Sequence, residues 1–265
     1  MIAAARVQSE PRLNGGFDAN LGFPQTAPYW ASHFAALGCA VSSVTDLGVL
    51  TASLLAHRFD FSYLPSANCF YLRDDTAYQG LASARSPRTM RPAQNGLFVV
   101  RSSNPATRWQ ELRGARLGYI NTYCTTSYFA PSILLAHEGQ ELASFFDAFP
   151  VAPWQGQIDA VIDGSIDATM VYEDVWLARP GNAARTKILA RLDDLPTPVF
   201  IARKDLDPAF SSKLKEALLG FTPANGGELL YAGFDDYQDA RMQRFFAELE
   251  QLPGLCCAKA TRPPG

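Results

Sequence analysis

Strand-like and helix-like segments alternate along most of this chain, and that order constrains the fold more than any other feature. Short apolar or alternating segments at residues 59–64, 97–101 and 117–120 are separated by segments with helical spacing, such as the leucines that follow Asp46. This order is typical of α/β proteins whose sheets are mainly parallel. The sequence therefore predicts an α/β fold.

The positions of the turn-rich segments predict two lobes. A length of 265 residues suits one large domain or two small ones. If the chain crosses over near residues 101–107 and returns near 193–198, residues 1–101 plus 197–265 form lobe 1. Residues 102–196 then form lobe 2. A ligand would lie in a cleft between the carboxyl ends of the two sheets.

Composition excludes two classes of protein. The net charge of -3 gives no basic face for nucleic acid. No apolar run approaches the roughly 20 residues of a membrane span, so we expect a protein that is not membrane-embedded. Arg85, Arg88 and Arg91 alternate with prolines and read as a solvated loop.

The remaining local predictions follow from spacing and from helix-start and turn residues. Strands are predicted at residues 2–7, 166–172 and 197–203, loops at 14–18, 65–68 and 121–127, a helical turn at 109–112, and helices at 28–37, 46–57, 128–137, 157–163, 207–220 and 236–252. The loop at residues 14–18 is predicted because it contains two adjacent glycines.

The cysteines and histidines predict no metal site and no cofactor. Cys39, Cys69, Cys124, Cys256 and Cys257 are odd in number and lack metal-binding spacing, and the histidines are scattered. Free cysteines suit a reducing compartment. The first residues lack a secretory-signal pattern, so we expect either a cytoplasmic protein or a periplasmic one whose leader has been removed.

A run of hydroxyl side chains is the most informative segment. Thr125, Thr126 and Ser127 follow a predicted strand and precede a predicted helix that contains Pro131. The first backbone N–H groups of a helix lack internal partners, so such a run can hold an oxyanion without a formal positive charge. Simple helix capping is the alternative, and it needs only one of the three hydroxyls.

Several segments together resemble the phosphate/phosphite/phosphonate-type substrate-binding proteins of ABC transporters. The similarity covers roughly residues 45–220 and is carried by residues 59–67, 109–119, 125–135, 160–168 and 200–206. It implies the type II periplasmic binding protein fold, two mixed or parallel sheets and an interlobe cleft. It also implies capture of a small anionic or zwitterionic ligand, such as a phosphonate or phosphate, and an ABC permease as partner.

Six positions depart from the pattern of that family. Ala152, Pro153 and Trp154 stand where the family has Gly-Ser-His, and Thr125 replaces a serine. Tyr128 replaces a glycine, and Thr197 aligns with an acidic residue that holds an amino group in some members. A bulky aromatic in place of a polar donor favours a larger or flatter ligand than phosphate.

The candidate ligand-binding residues come from the hydroxyl run, from aromatics that could stack on a ligand, and from the loops at strand ends. They are Thr125, Thr126, Ser127, Tyr123, Trp154, Ser66, Tyr63, Tyr172, Glu173 and Phe17. For the aromatics, packing in the core or between lobes is the alternative. Glu173 and the adjacent Asp174 could receive a cationic group, or could be a solvated pair at a helix start.

The function predicted from these features is solute binding for transport, without catalysis. Cys124 is not predicted to be a nucleophile because no histidine is close to it in sequence. The alternative is a cytosolic enzyme on the same fold, since the chain also resembles enzymes of menaquinone-precursor biosynthesis. The effector domain of a LysR-like regulator is disfavoured because no helix-turn-helix precedes these segments.

Overall fold

Two mixed β-sheets organise the chain. The computed structural model describes residues 13–19, 34–151, 154–221, 231–253 and 255. The strands are β1 (Leu13–Asp18), β2 (Cys39–Val44), β3 (Phe61–Leu64), β4 (Tyr78–Ala84), β5 (Ala93–Arg101), β6 (Arg116–Tyr119), β7 (Asp147–Pro150), β8 (Ala168–Tyr172), β9 (Thr186–Pro196), β10 (Val199–Arg203) and β11 (Phe234–Asp236). Their spatial order is β11-β4-β10-β3-β1-β2 in the first sheet and β7-β6-β8-β5-β9 in the second. The predicted α/β class is confirmed.

Each sheet combines parallel and antiparallel pairs. In the first sheet, β1 is parallel to β2 and β3, while β10 is antiparallel to β3 and β4. In the second, β6 is parallel to β7 and β8, while β5 is antiparallel to β8 and β9. The carboxyl ends of β1 and β3, and of β6 and β8, therefore lie at one edge of their respective sheets.

The strand Ala93–Arg101 pairs in the second sheet, although the predicted division places it in the first lobe. Its buried apolar character indicates a strand but carries no information about which sheet accepts it. We propose that the chain crosses between the lobes in the segment between β4 and β5. The return at residue 197 stays a prediction, and it falls between β9 and β10.

Helices cover both sheets. They are α1 (Leu47–Leu55), α2 (Ser66–Tyr71), α3 (Ala130–Ala136), α4 (Leu142–Phe145), α5 (Gln155–Asp163), α6 (Glu173–Leu177), α7 (Gly181–Arg185), α8 (Pro208–Leu219) and α9 (Asp239–Glu250), with a 3₁₀ turn at Trp109–Leu112 and a π turn at Thr125–Phe129. No helix within the described ranges is long and apolar enough to cross a membrane.

Two of the predicted helices begin with an aspartate that caps them. The Asp46 carboxylate accepts hydrogen bonds from the backbone N–H groups of Gly48 (2.7 Å) and Val49 (3.0 Å) at the start of α1. Asp207 accepts from Ala209 (2.6 Å) and Phe210 at the start of α8. These carboxylates satisfy N–H groups that have no partner inside the helix.

Two predicted loops are wrong. Residues 14–18 belong to β1. The two glycines leave space on this strand for aromatic rings from neighbouring segments. A Cβ on Gly15 would lie 2.2 Å from the Phe61 ring, and one on Gly16 would lie 2.5 Å from Phe59. Residues 66–68 begin α2 instead of forming a loop. Predicted elements at residues 2–7 and 28–33 lie outside the described residues.

The helix predicted at residues 128–137 begins earlier and less regularly than its pattern indicates. The hydroxyl run predicted as loop forms the π turn Thr125–Phe129, and α3 continues directly from it. Pro131 lies in the first turn of α3, so the position without an N–H falls where the π turn passes into the α-helix.

We expect Asp207→Ala to lower the free energy of unfolding by about 0.5–2 kcal/mol, because two N–H groups of α8 lose their acceptor. Asp207→Asn is the matched control. Asparagine caps about as well as aspartate, so this change should lower the free energy of unfolding by only about a few tenths of a kcal/mol. Urea denaturation measures both. Equal losses for the two variants would show that the charge of Asp207, and not its capping bond, stabilises the helix.

Candidate functional site

The hydroxyl run lies where the second sheet meets α2 of the first. Thr125, Thr126 and Ser127 are all buried, just after the end of β6. Cys124 caps this turn, because its Sγ accepts a hydrogen bond from the backbone N–H of Ser127 at 3.4 Å. The capping role is therefore held by Cys124, which leaves the three hydroxyls available for other contacts.

The three hydroxyls have different partners. Thr125 Oγ1 accepts from the backbone N–H of Ala67 at 3.3 Å, and Ser127 Oγ accepts from the backbone N–H of Ile120 at 3.0 Å. Thr126 Oγ1 is buried and has no hydrogen-bond partner within the described part of the chain. Two hydroxyls thus hold the fold together, and the middle one completes no well-formed hydrogen bond among the described residues.

Thr126 belongs to a group of buried polar side chains, which we name the polar cluster: Gln94, Thr126, Tyr172 and Tyr231. Gln94, Thr126 and Tyr231 are 4%, 0% and 6% exposed. Gln94 Nε2, Thr126 Oγ1 and the Tyr231 hydroxyl complete no well-formed hydrogen bond within the described residues, although their side chains lie close enough to the Tyr172 hydroxyl to lower its pKa. A buried polar group without a partner costs about 1–3 kcal/mol, so three together indicate a place where a ligand supplies the missing partners.

Strand pairing brings the polar cluster together. Gly96 of β5 lies opposite Tyr172 at the end of β8, and Gln94 is two residues from Gly96 on β5. The Thr126 methyl group lies 3.5 Å from where a Cβ on Gly96 would stand, so Thr126 packs over β5. The cluster therefore lies at the carboxyl end of β8, where ligands bind in open α/β sheets.

The two tyrosines of the polar cluster stay protonated. Burial raises the pKa of Tyr172 above its ordinary value, and the nearby polar groups of Thr126, Tyr231 and Gln94 offset this in part. Burial, with Tyr172 and Tyr63 close by, raises the pKa of Tyr231 as well. Both hydroxyls are neutral donors at physiological pH, and with the Gln94 amide they can donate to an anion.

Tyr63 reaches this region from the first sheet. Its ring packs between Phe200, with centroids 4.8 Å apart, and Phe234 at 5.7 Å. Burial raises the pKa of the Tyr63 hydroxyl, and Tyr172 and Asp18 raise it further. Tyr63 thus combines a core ring with a hydroxyl close to the polar cluster.

Trp154 packs against a member of the polar cluster, and Tyr123 packs against α2. The Trp154 ring lies against Tyr172, with centroids 4.9 Å apart, and Trp154 has a positive φ of 45° that is uncommon for a side-chain-bearing residue. Tyr123 packs against Tyr71 at 5.5 Å, and burial raises the pKa of Tyr123. Trp154 therefore contacts one residue of the cluster, Tyr172, while Tyr123 connects the hydroxyl run to α2.

Glu173 is engaged by cations of its own chain. It accepts hydrogen bonds from Arg191 at 2.7 Å, from Asn95 at 2.8 Å and from Arg88. The neighbouring Asp174 accepts from the Ser86 hydroxyl at 2.6 Å. Burial raises the pKa of Glu173, but the Arg191 and Asn95 hydrogen bonds outweigh it and leave that pKa below its usual value. Arg88 lies exposed in the predicted loop, and its guanidinium pairs with this glutamate.

Phe17 and Ser66 have structural partners. The Phe17 ring packs on Phe34 and Phe200, with centroids 5.4 Å apart in each case. The Ser66 hydroxyl lies 3.0 Å from the Pro196 carbonyl and also reaches that of Thr197, which ties α2 to the end of β9. Among the ten candidate residues, the structure therefore brings Thr126, Tyr172 and Tyr63 together, with Trp154 alongside.

The sequence reasoning missed Gln94, Tyr231 and Asp18. Gln94 carries a usable signal, since it is a polar residue at the start of a strand that is otherwise largely apolar. Asp18 would have been placed at a strand end had residues 14–18 been recognised as a strand. Tyr231 lies in a segment without periodicity, so no sequence pattern points to it.

Other parts of the described structure give weaker indications of a functional site. A surface pocket of about 490 Å³ lies at the amino ends of β6 and β8, the opposite end from the polar cluster, and includes Asn104, Arg113 and Asp167. Within the described ranges, no group of three histidine, cysteine, aspartate or glutamate side chains could hold a metal ion. Burial raises the pKa of Cys124, which opposes formation of a nucleophilic thiolate.

Comparison with known proteins gives these features a context. Residues 39–245 match a family model described as the periplasmic substrate-binding protein of phosphonate ABC transporters. The chain belongs to this family. No curated protein sequence matches it significantly.

Solved structures confirm the predicted type II periplasmic binding protein fold for this member of the phosphonate-binding family. XAC2383 from Xanthomonas citri, bound to chloride, is 18% identical, with a TM-score of 0.73, covering 91% of this chain and 98% of its own. PhnD1 from Prochlorococcus marinus, in complex with methylphosphonate, is 14% identical, with a TM-score of 0.73 and coverages of 91% and 97%. SsuA from Xanthomonas axonopodis pv. citri, an alkanesulfonate-binding protein bound to MOPS, is 14% identical, with a TM-score of 0.54 and coverages of 93% and 96%.

The unequal partners of the hydroxyls predict unequal effects on stability. Ser127→Ala should lower the free energy of unfolding by about 1–3 kcal/mol, because the Ile120 N–H loses its acceptor. Thr126→Val should leave stability unchanged or raise it, because it removes a buried hydroxyl that completes no well-formed hydrogen bond among the described residues. Urea denaturation without ligand compares the two, and an equal loss in both variants would contradict this division of roles.

The ion pairs of Glu173 predict a pH-dependent contribution to stability. Because its native pKa is lowered, the charge stabilises the fold above the unfolded-state pKa of about 4.3 and loses this effect as pH falls through the native value. Glu173→Gln should therefore cost about 1 kcal/mol at neutral pH, a small effect because its arginine partners are partly exposed. The difference from wild type should shrink in acid. Glu216→Gln, on the exposed side of α8, removes the same charge as a control, and a pH-independent cost for Glu173→Gln would contradict the assignment.

Proposed function

We propose that this ABC-transporter substrate-binding protein captures a small phosphonate-like oxyanion at the polar cluster, in a cleft between the two sheets. The observation that carries the proposal is the set of three buried donors that lack partners within the described residues: Gln94 Nε2, Thr126 Oγ1 and the Tyr231 hydroxyl. An oxyanion offers several acceptor lone pairs in a small volume and can satisfy all three donors. The related PhnD1 in complex with methylphosphonate supports this ligand class.

The chemistry of the cluster favours binding without conversion of the ligand. Burial raises the pKa of Cys124, and the described histidines lie elsewhere: His57 contacts Asp75 and His137 contacts Glu248. A bound oxyanion would therefore meet hydrogen-bond donors without an activated nucleophile and base. The resemblance to menaquinone-precursor enzymes receives no support from the comparisons.

The family also indicates where such a protein works. A periplasmic substrate-binding protein presents its loaded form to an ABC permease, and we infer the same partner and compartment for this chain. The permease would distinguish loaded from empty protein through the relative position of the two sheets, which the ligand fixes by contacting both. Release of the ligand to the permease requires that closure be reversible.

Thr126→Val is the sharpest test of the site. The variant loses one hydrogen bond to a charged acceptor, which should weaken methylphosphonate binding by about 10- to 150-fold. Ser127→Ala is the matched control, because its hydroxyl serves Ile120 and its loss should alter stability more than affinity. Isothermal titration calorimetry measures binding, and mass spectrometry of the recovered ligand tests for conversion.

Two results would count against the proposal. An unchanged dissociation constant for Thr126→Val would remove Thr126 from the site, and a chemically altered ligand would restore the enzyme alternative. A panel that includes methanesulfonate, phosphate and acetate establishes whether phosphonates are the preferred class, since SsuA shows that alkanesulfonates occupy a similar fold.

A further inference from the structure

Asp18 is a buried carboxylate at the end of β1 in the first sheet. It is the last residue of β1 and is 1% exposed. β1 lies between β2 and β3 and is parallel to both, so Asp18 emerges at the carboxyl edge of a parallel segment. A carboxylate is rarely buried to this extent unless nearby groups stabilise or use its charge.

A continuous set of contacts connects Asp18 with the hydroxyl run. Phe17, next to Asp18, lies opposite Tyr63 on β3, and β3 leads directly into α2. At the start of α2, the Ala67 N–H donates to Thr125 Oγ1. The end of β1 and the hydroxyl run are thus separated by the end of one strand and the first turn of one helix.

The pKa shifts of Cys124 and Tyr63 agree with this placement of Asp18. Burial raises the pKa of Cys124, and the charge of Asp18 adds to that rise. The same charge contributes to the raised pKa of Tyr63, after burial and Tyr172. Asp18 is therefore close enough to act on Cys124, which lies two residues before Thr126, and on a tyrosine next to the polar cluster.

An anion site with a carboxylate discriminates between oxyanions by their protons. At neutral pH a large fraction of methylphosphonate carries one P–OH group, which can donate a hydrogen bond to a carboxylate. Methanesulfonate has the same tetrahedral shape but no proton, so its oxygens would meet the carboxylate as like charges. A carboxylate has about four acceptor positions, so it can accept from a ligand while keeping contacts with its own chain.

We propose that Asp18 accepts the proton of a monoprotonated phosphonate, while Gln94, Thr126 and Tyr231 donate to its unprotonated oxygens, so that the site selects phosphonates over sulfonates. This inference rests on the proposed function and adds the basis of its selectivity. Donors alone would bind both ligands; the buried acceptor makes the difference.

The test measures both ligands on wild type and on Asp18→Asn by calorimetry. Wild type should bind methylphosphonate more tightly than methanesulfonate by about tenfold or more, as expected for a hydrogen bond between charged groups. In Asp18→Asn the amide can donate to a sulfonate oxygen, so methanesulfonate should bind more tightly than to wild type. Methylphosphonate should bind more weakly, and the preference should shrink or reverse.

Asp60→Asn is the matched control. Asp60 accepts a hydrogen bond from the Asn14 N–H at 2.7 Å, near the opposite end of β1 from Asp18. The change removes the same charge from the same sheet and should leave the ratio of the two affinities as in wild type. A shift in that ratio equal to the Asp18→Asn shift would overturn the inference, because general electrostatics would then explain it.

A pH series on wild type keeps the inference testable if Asp18→Asn does not fold. Raising the pH removes the phosphonate proton, so methylphosphonate affinity should fall while methanesulfonate affinity stays level. Equal affinity for both ligands at neutral pH, or phosphonate affinity that rises with pH, would overturn the proposed role of Asp18 and leave the proposed function in place.

Two further results separate this inference from the proposed function. Binding of neither ligand by wild type would overturn the proposed function and the inference with it. Aminomethylphosphonate is the last ligand to compare. Suppose that wild type binds it more than tenfold more tightly than methylphosphonate, and that Asp18→Asn removes only this difference in affinity. Asp18 then holds the ammonium group of the ligand, and the inference is wrong.

Discussion

Buried hydrogen-bonding groups that lack partners destabilise a fold, and the polar cluster concentrates three of them at one point. The surrounding structure must hold these groups in place without satisfying them. Pairing of β5 with β8 fixes Gln94 relative to Tyr172. The packing of Thr126 over Gly96 holds Thr126 next to the same strand. Under the proposed function, a ligand that supplies the missing acceptors offsets this cost with its binding energy.

The hydroxyl run shows how one sequence motif serves two purposes. The hydroxyls of Thr125 and Ser127 accept hydrogen bonds from the backbone N–H groups of Ala67 and Ile120. They therefore connect the turn to α2 and to the end of β6. Thr126, between them, is held rigidly by its neighbours while its own hydroxyl stays without a partner among the described residues. A preorganised donor binds more tightly than a mobile one, because little conformational entropy is lost when the ligand arrives.

The sequence predicts the elements of this fold better than their partners. Helices capped by Asp46 and Asp207 were predictable, because capping depends on residues adjacent in sequence. The role of Gly15 was not, because the glycine admits the ring of Phe61 from another strand, and local reasoning takes paired glycines for a turn. The sheet that accepts β5 was likewise undetermined, since a buried apolar strand fits either sheet.

The same limit applies to the candidate site. Thr126 and Tyr172 were accessible to sequence reasoning because Thr126 lies in the segment between β6 and a helix and Tyr172 ends β8, and ligand contacts concentrate at such strand ends. Glu173 looks equally promising in the sequence, but its partners Arg88 and Arg191 come from segments on either side of it along the chain, and only the fold brings them to it. Tyr231 approaches from the far end of the chain with no local pattern. Residues whose role depends on a distant partner cannot be assigned from spacing alone.

The distribution of charge explains how this chain can hold an anion with neutral donors. Arg88 and Arg191 are engaged by Glu173, and Arg241 and Arg244 by Asp194, so these cations act as structural partners. Inside the polar cluster the donors are an amide and hydroxyls, which cost less to bury than charges do. In such a low-dielectric site each hydrogen bond to an anion is stronger than in water. A buried carboxylate such as Asp18 then has a large effect on which anion is accepted, because no neighbouring solvent screens it.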